Sequence, residues 1–276
     1  MKTAMLPHGE KVPALGLGSW KMGERASERS HEIAALRLAV ELGMTLIDTA
    51  EMYGDGAAES LIGDALADVR DELFIVSKAY PQNASRGRLT RACESSMARL
   101  RTDRIDLYLL HWRASVPLAE TVEAMEALKA AGKIRHWGVS NLDTEDMIEL
   151  IEAGGGECAT DQILYNLSRR GPEYELLPWL AARSIPVMAY SPVEQGRLLT
   201  HPALVAVADR IDATPAQVAI AWAMRREGMI AIPKAGSAEH VRENRAAADL
   251  TLSTGDFAAL DAAFPSPRRR IPLEML

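Results

Sequence analysis

The chain has 276 residues, 48% of them hydrophobic and 25% charged, with a formal net charge of −7 and a pI near 5.5. That length suits one α/β barrel with a sizeable core. The acidic balance excludes a surface built for nucleic acid or for an anionic membrane, and no apolar run approaches the ~20 residues of a membrane span.

Residues 2–6 and 10–14 flank Pro7-His8-Gly9 and predict a β-hairpin that caps one end of a barrel. A first short strand follows at 15–18. Ser27 or Ser30 is placed to N-cap a helix with Ile33, Leu36 and Val40 on one face, closed by Gly43. Strand 45–48 leads to a helix carrying Ile62, Ala65, Leu66 and Val69 on one side. Strand 73–78 precedes a helix over 87–100, and strand 105–111 one over 118–131. The alternation continues with strand 134–140 and helix 143–153, then strand 160–163 and helix 174–183. Strand 186–190 gives way to helices near 201–209 and 214–226, and strand 229–232 to helices 238–247 and 253–263. About eight strand–helix units predict a (β/α)8 TIM barrel with an N-terminal hairpin cap, in a single domain over 1–276.

Cys93 shares a helical face with Leu89, Met97 and Leu100 and reads as a buried core thiol. Cys93 and Cys158 have no metal-ligand or redox-pair spacing, so no metal site is expected and a reducing setting is. The N-terminus has no apolar leader. Together these features predict a soluble cytoplasmic protein.

Three strands end on single ionisable groups: Asp48, Lys78 and His111. Side chains alternate along a strand, so Asp48 shares a face with Leu46, Lys78 with Val76 and Phe74, and His111 with Leu109 and Leu107. Ser140 and Tyr190 follow the same rule with Gly138 and Met188. Five strands in step place apolar or small residues inside the barrel and a polar group at the C-terminal rim, where barrels keep their chemistry. Tyr53, five residues beyond Asp48, hangs over that rim. His136 has inward parity but sits earlier in its strand, which gives it a structural role.

A phenol near a cation has a definite use. Its pKa starts near ~10, and an ammonium within about 4–6 Å lowers it by roughly 1–3 units. Asp48 would keep a buried Lys78 charged. Tyr53 then acts as a general acid toward an oxygen gaining negative charge, with His111 donating to the same oxygen. Such a site suits carbonyl reduction by hydride from a cofactor. Each residue alone also has a plainer reading: a turn aspartate, a surface tyrosine, a packed rim histidine, or a Schiff-base lysine as in barrel aldolases.

Gly16-Leu17-Gly18-Ser19-Trp20-Lys21 lacks the third glycine of GxGxxG, so a Rossmann site is disfavoured. Ile232-Pro233-Lys234-Ala235-Gly236-Ser237 is the better anion site, a strand end feeding a helix N-terminus.

With these residues in view the chain resembles the aldo-keto reductases over nearly its whole length, in particular short-loop bacterial methylglyoxal and 2,5-diketo-acid reductases. The matching segments are Leu46-Ile47-Asp48-Thr49-Ala50 with Tyr53-Gly54, Ser77-Lys78, Leu109-Leu110-His111-Trp112, Gly138-Val139-Ser140-Asn141, Tyr190-Ser191-Pro192 and Ile232-Pro233-Lys234. The resemblance implies a catalytic tetrad of Asp48, Tyr53, Lys78 and His111, and NADPH extended across the barrel mouth. It implies Ser140, Asn141 and Gln162 at the nicotinamide carboxamide, Tyr190 stacked on the ring, and Ser191 at the pyrophosphate. Lys234 and Ser237 would face the 2′-phosphate, and Glu243 and Asn244 the adenine. His240 stands where the family often has an arginine.

The segment 112–117 and the tail after Pro265 are short, which implies an open pocket lined by Trp20, Tyr53, His111 and Trp112. Arg113 is either a cation for a substrate carboxylate or a solvated rim residue. The expected activity is NADPH-dependent reduction of small aldehydes and α-dicarbonyls such as methylglyoxal. The alternative is a non-catalytic barrel that senses nicotinamide nucleotides.

Overall fold

The computed structural model describes residues 1–276. Strands β1 (Thr3–Met5) and β2 (Lys11–Pro13) pair antiparallel as the predicted hairpin. The remaining strands are β3 (Leu17–Gly18), β4 (Leu46–Asp48), β5 (Phe74–Ala79), β6 (Ile105–Leu110), β7 (Ile134–Ser140), β8 (Asp161–Leu164), β9 (Val187–Tyr190) and β10 (Met229–Ile232). They form one parallel eight-stranded sheet in sequence order. Parallel bridges Leu15↔Ala231 and Gly18↔Lys234 bring its two edges together, so the sheet is a (β/α)8 barrel.

Closure explains the first two glycines of the incomplete nucleotide motif. A Cβ on Gly16 would stand 2.5 Å from Leu46 Cδ2, and one on Gly18 would stand 2.9 Å from the Ile232 carbonyl oxygen. Only glycine lets β3 approach both neighbours.

Between the strands lie α1 (Arg29–Glu41), α2 (Ala57–Leu66), α3 (Arg86–Leu100), α4 (Leu118–Ala130), α5 (Thr144–Glu152), α6 (Leu176–Ala181), α7 (Pro202–Arg210), α8 (Pro215–Ala223) and α9 (Ala238–Ala247), with α10 (Thr254–Ala263) at the end. These boundaries agree closely with the expected ones because each strand is a continuous buried run and each helix keeps one apolar face. One expectation fails. Neither Ser27 nor Ser30 caps α1; Glu28 occupies the N-cap with helical φ/ψ and no side-chain bond. A preceding turn at 26–28 already runs into the helix, which leaves no extended residue to act as a cap. Its other end behaves as expected: Gly43 has φ +82° and the Met44 N–H reaches the Ala39 carbonyl.

Two apolar layers result. A cluster of 61 buried residues fills the space between strands and helices. A smaller cluster fills the barrel itself, with Leu46, Phe74, Val76, Leu107, Leu109 and Met188 among its twelve residues. These are the inward positions that strand parity assigns. Ala4, Leu6 and Val12 of the hairpin belong to the same cluster, so the hairpin plugs the N-terminal end. His136 lies at that end, its Nε2 2.7 Å from Glu10 Oε2 and its ring stacked near Phe74. Both cysteines are buried and free, and burial pushes the Cys93 thiol up to about 12. No helix is long and apolar enough to cross a membrane.

Candidate active site

β4 ends on Asp48 and β5 carries Lys78 at its penultimate position, in register so that both side chains enter the C-terminal mouth. Lys78 Nζ lies 2.8 Å from Asp48 Oδ2 and 2.8 Å from the Thr49 carbonyl oxygen. Both side chains are essentially sealed from solvent, at 0% and 3% exposure. The loop after β4 turns back through positive φ at Gly54, Asp55 and Gly56. This turn brings Tyr53 over the pair, its hydroxyl 3.2 Å from Lys78 Nζ. His111 follows β6, with its ring 6.0 Å from that of Tyr53 in an edge-on arrangement. Four residues spread over 64 positions of chain thus meet in one place.

The electrostatics correct one expectation. Burial raises the Tyr53 phenol above its ordinary value, and Lys78 offsets only part of that rise. The expected net lowering does not occur, because desolvation of a phenolate, with the Asp48 charge added to it, outweighs one neighbouring ammonium. Tyr53 therefore holds its proton throughout the neutral range. Lys78 is raised as well: burial works against the ammonium, but Asp48 and Tyr53 more than compensate. Burial raises Asp48 against the pull of Lys78. Burial and the Lys78 charge together push His111 down to about 3, so its imidazole is neutral at physiological pH.

A second group joins the first through hydrogen bonds. Gln162 Nε2 donates to Asp48 Oδ1 at 2.7 Å, and Ser140 Oγ donates to the Gln162 carbonyl at 2.7 Å. Asn141, at φ +60°, donates to the His111 carbonyl and accepts from the Tyr190 hydroxyl at 2.9 Å. The ends of β6, β7, β8 and β9 are thereby tied into one floor. Ser191 follows at φ +52°, its carbonyl accepting from Asn166 Nδ2.

The third group sits at the β10–α9 junction on the same rim. Ser237 is the N-cap of the ten-residue helix α9 and accepts from the His240 N–H. Lys234 and His240 are exposed. Glu243 accepts from Thr214 Oγ1 at 2.6 Å, and Asn244 is buried with its Nδ2 unpaired. A cation beside a capped helix N-terminus is an anion site, and an orphaned buried amide asks for an acceptor. These residues fit a nucleotide carrying a terminal phosphate.

Trp112 stands 4.9 Å from the His111 ring, and Tyr80 meets its edge at 5.9 Å. Tyr80 was missed in the sequence, although it lies two residues beyond Lys78 on the same face. Glu51 fixes Tyr80 by accepting from its backbone N–H at 2.6 Å. Trp20 is exposed on the rim with Lys21 over its ring. Arg113 pairs with Asp146 and Glu149 of α5. Its proximity to those carboxylates decides the matter in favour of a structural ion pair.

This is the rim chemistry of a protein that protonates an oxygen. A model of the Aldo/keto reductase family matches residues 14–264. The chain belongs to the aldo/keto reductase family. This reductase is 51% identical over 271 residues to methylglyoxal reductase YeaE of Escherichia coli, covering 96% of this chain and 95% of that one. It is 34% identical over 260 residues to methylglyoxal reductase DkgB of Salmonella typhi, covering 91% and 93%. Its fold superimposes on an aldo/keto reductase from Klebsiella pneumoniae, in complex with NADP and acetate, with a TM-score of 0.97 at 52% identity, over 100% and 99% of the two chains.

The residue before Gln162 has a different fate. Asp161 is fully buried, and no side chain hydrogen-bonds either carboxylate oxygen; the Leu142 backbone N–H offers the one, poorly aligned, donor. Burial holds its carboxyl well above the usual range, and Asp146 and Asp143 add to the rise. The native state therefore keeps a proton that the unfolded chain releases above about pH 4. Stability is lost as pH rises from there toward the folded-state pKa. Asp161→Asn removes that loss, with an expected gain of about 1–3 kcal/mol at neutral pH. Chemical denaturation at pH 4 and pH 8 checks it: the gain must be larger at pH 8, and a pH-independent difference refutes the explanation.

Proposed function

We propose that this protein reduces small aldehydes and α-dicarbonyls of the methylglyoxal type to alcohols with NADPH. The observation that carries this reading is the Tyr53 hydroxyl 3.2 Å from a lysine whose charge is held by Asp48 at 2.8 Å. NADPH, when bound, supplies the hydride. Ser140, Asn141 and Gln162 would hold its carboxamide, Tyr190 would stack on the ring, and Ser191 would meet the pyrophosphate. Lys234, Ser237 and His240 would receive the 2′-phosphate, and Glu243 and Asn244 the adenine. Relatives named as methylglyoxal reductases support the substrate class.

The reaction needs one proton at the carbonyl oxygen. Tyr53 donates it as negative charge develops there, and Lys78 stabilises the phenolate left behind. Asp48 and the Thr49 carbonyl keep the ammonium in place. Neutral His111 donates a hydrogen bond to the same oxygen and orients the carbonyl against Trp112 and Trp20. The product is an alcohol, with Tyr53 reprotonated from solvent. A net charge of −7 supports a small-molecule partner and no nucleic acid or membrane. In this reading residues 1–276 act as one domain, monomeric and cytoplasmic. Nothing in the site favours a sensing barrel without turnover, since acid, cation and carboxylate are all in place.

NADPH consumption across an aldehyde panel tests the proposal. The pH profile adds a sharper check. The reducing form needs Tyr53 protonated and His111 neutral. The phenol keeps its proton below a pKa raised from 10, and the imidazole gains one only near about 3. The kcat for reduction should therefore be flat between about pH 5 and 9, without the inflection near ~6.5 of an ordinary histidine. An inflection there, abolished in His111→Gln, would show that His111 acts as a cation.

A further inference from the structure

Asp161 is wholly buried, weakens the fold at neutral pH and takes no part in the proton transfer. Protein interiors give almost every buried polar group a partner, so a carboxyl kept in this way calls for a reason. Strand register supplies the first clue. Ser140 stands opposite Gln162, and Val139 opposite Asp161. Gln162 points into the barrel, where its Nε2 reaches Asp48. Asp161, one residue earlier, therefore points outward, toward the turn that leaves β7.

That turn needs holding. Asn141 has φ +60°, a left-handed backbone that persists in a residue with a Cβ only where contacts support it. On the barrel side its amide is tied to the His111 carbonyl, to Ser140 Oγ and to the Tyr190 hydroxyl. On the other side the next residue, Leu142, is 0% exposed, and its N–H has no backbone acceptor. A buried N–H without any acceptor is rare and costly. The Asp161 carboxyl is the acceptor within reach. Two groups that would each be orphaned thus face one another behind the β7–β8 pair. Around them stand Asp143 and Asp146 at the start of α5, Cys158 and Tyr190, none of them a cation. With nothing positive nearby, the carboxyl keeps its proton and meets Leu142 through its carbonyl oxygen.

We propose that Asp161 is a positioning residue for the nicotinamide end of the nucleotide: by accepting from the Leu142 N–H it holds Asn141 in the turn that sets its amide at the barrel mouth. The inference rests on the reductase reading given above, in which Asn141 would meet the carboxamide. Asp161 itself touches no reactant and acts only through the backbone of residues 141 and 142. Its burial is then stability given up for the geometry of a binding group, a common exchange at functional sites. An amide can replace the acid, because its oxygen accepts in the same place. A hydrocarbon of the same outline cannot.

Asp161→Leu and Asp161→Asn separate these cases, each compared with the wild type for binding of NADP⁺ and of 2′,5′-ADP. The second ligand carries the phosphorylated adenosine end and no nicotinamide. In Asp161→Leu, NADP⁺ should bind about 10-fold more weakly, the scale of one buried hydrogen bond, while 2′,5′-ADP binds as before. Asp161→Asn should bind both ligands like the wild type. In the free protein the Leu142 amide hydrogen should exchange with solvent about 10-fold faster in Asp161→Leu than in Asp161→Asn. Thermal unfolding checks that each variant is folded, and Asp161→Ala, which has no acceptor, is read in place of a Leu variant that is not. An equal loss of both ligands, or unchanged NADP⁺ affinity in a folded Asp161→Leu, overturns the positioning role and leaves the reductase reading intact. A wild type that binds neither ligand instead overturns the nucleotide reading, and with it the role assigned to Asp161.

Discussion

Tyr53→Phe should lower kcat for carbonyl reduction by about 10²–10⁴-fold, the range expected for loss of a positioned general acid. The ring stays, together with its edge contact to His111 at 6.0 Å, so the fold and nucleotide affinity should be unchanged. What disappears is the one hydroxyl that sits both on the mouth and 3.2 Å from an ammonium. Water entering the space is a poorer acid, because Lys78 cannot hold it at a fixed angle. The measurement is single-turnover NADPH oxidation with a small aldehyde, alongside NADP⁺ binding. Undiminished turnover in a correctly folded variant would remove Tyr53 from the mechanism. His111 cannot substitute, since an imidazole that gains a proton only near about 3 carries no spare proton at neutral pH.

Breaking the pair beneath the phenol should have the second large effect, and on two quantities. Asp48→Asn leaves a fully buried ammonium with no counter-charge, a change that costs about 3–5 kcal/mol of stability. Lys78, raised in the native protein above its ordinary 10.5 by Asp48 and Tyr53, would then give up its proton to escape the penalty. Activity falls with it, because the phenolate loses its stabilising charge. The sign of the pH dependence follows. The stability from a raised Lys78 is fully present below the unfolded value of about 10.5 and is lost as pH rises through the folded one. Native protein should therefore weaken at strongly alkaline pH, and Asp48→Asn should flatten that limb. The double variant Asp48→Asn with Lys78→Met removes both charges and should recover much of the stability without any activity. If Asp48→Asn alone is as stable as the wild type, the pair is not what holds Lys78 charged.

Much of this site was legible in the chain. Asp48, Lys78 and His111 end apolar runs whose parity points inward, and the barrel interior holds the residues two steps before them, Leu46, Val76 and Leu109. Tyr53 was visible by its distance from Asp48, although the glycine after it equally suits a surface turn. Helix ends were less so: a serine near 27–30 looks like a cap, yet the backbone at Glu28 is already helical. Arg113 and Tyr80 show the limits in opposite directions. A lone arginine after a strand says nothing of the carboxylates that will face it, and here Asp146 and Glu149 do. Tyr80 obeys the same parity as Lys78, but lies past the strand end, where alternation is no longer assured by pairing.

The chain by itself determined the architecture and which polar groups stand at the strand ends. Hydrophobic period and the polar residue that ends an apolar run are local properties, and local properties survive in a linear text. Only the tertiary structure decided how those groups titrate and what they are tied to. Burial raises the phenol that a neighbouring charge was expected to lower, and Arg169 joins residues 25 and 105 positions away. Desolvation depends on what surrounds a group in three dimensions, and long-range ion pairs depend on where loops end. Neither is written in the spacing of residues along a strand.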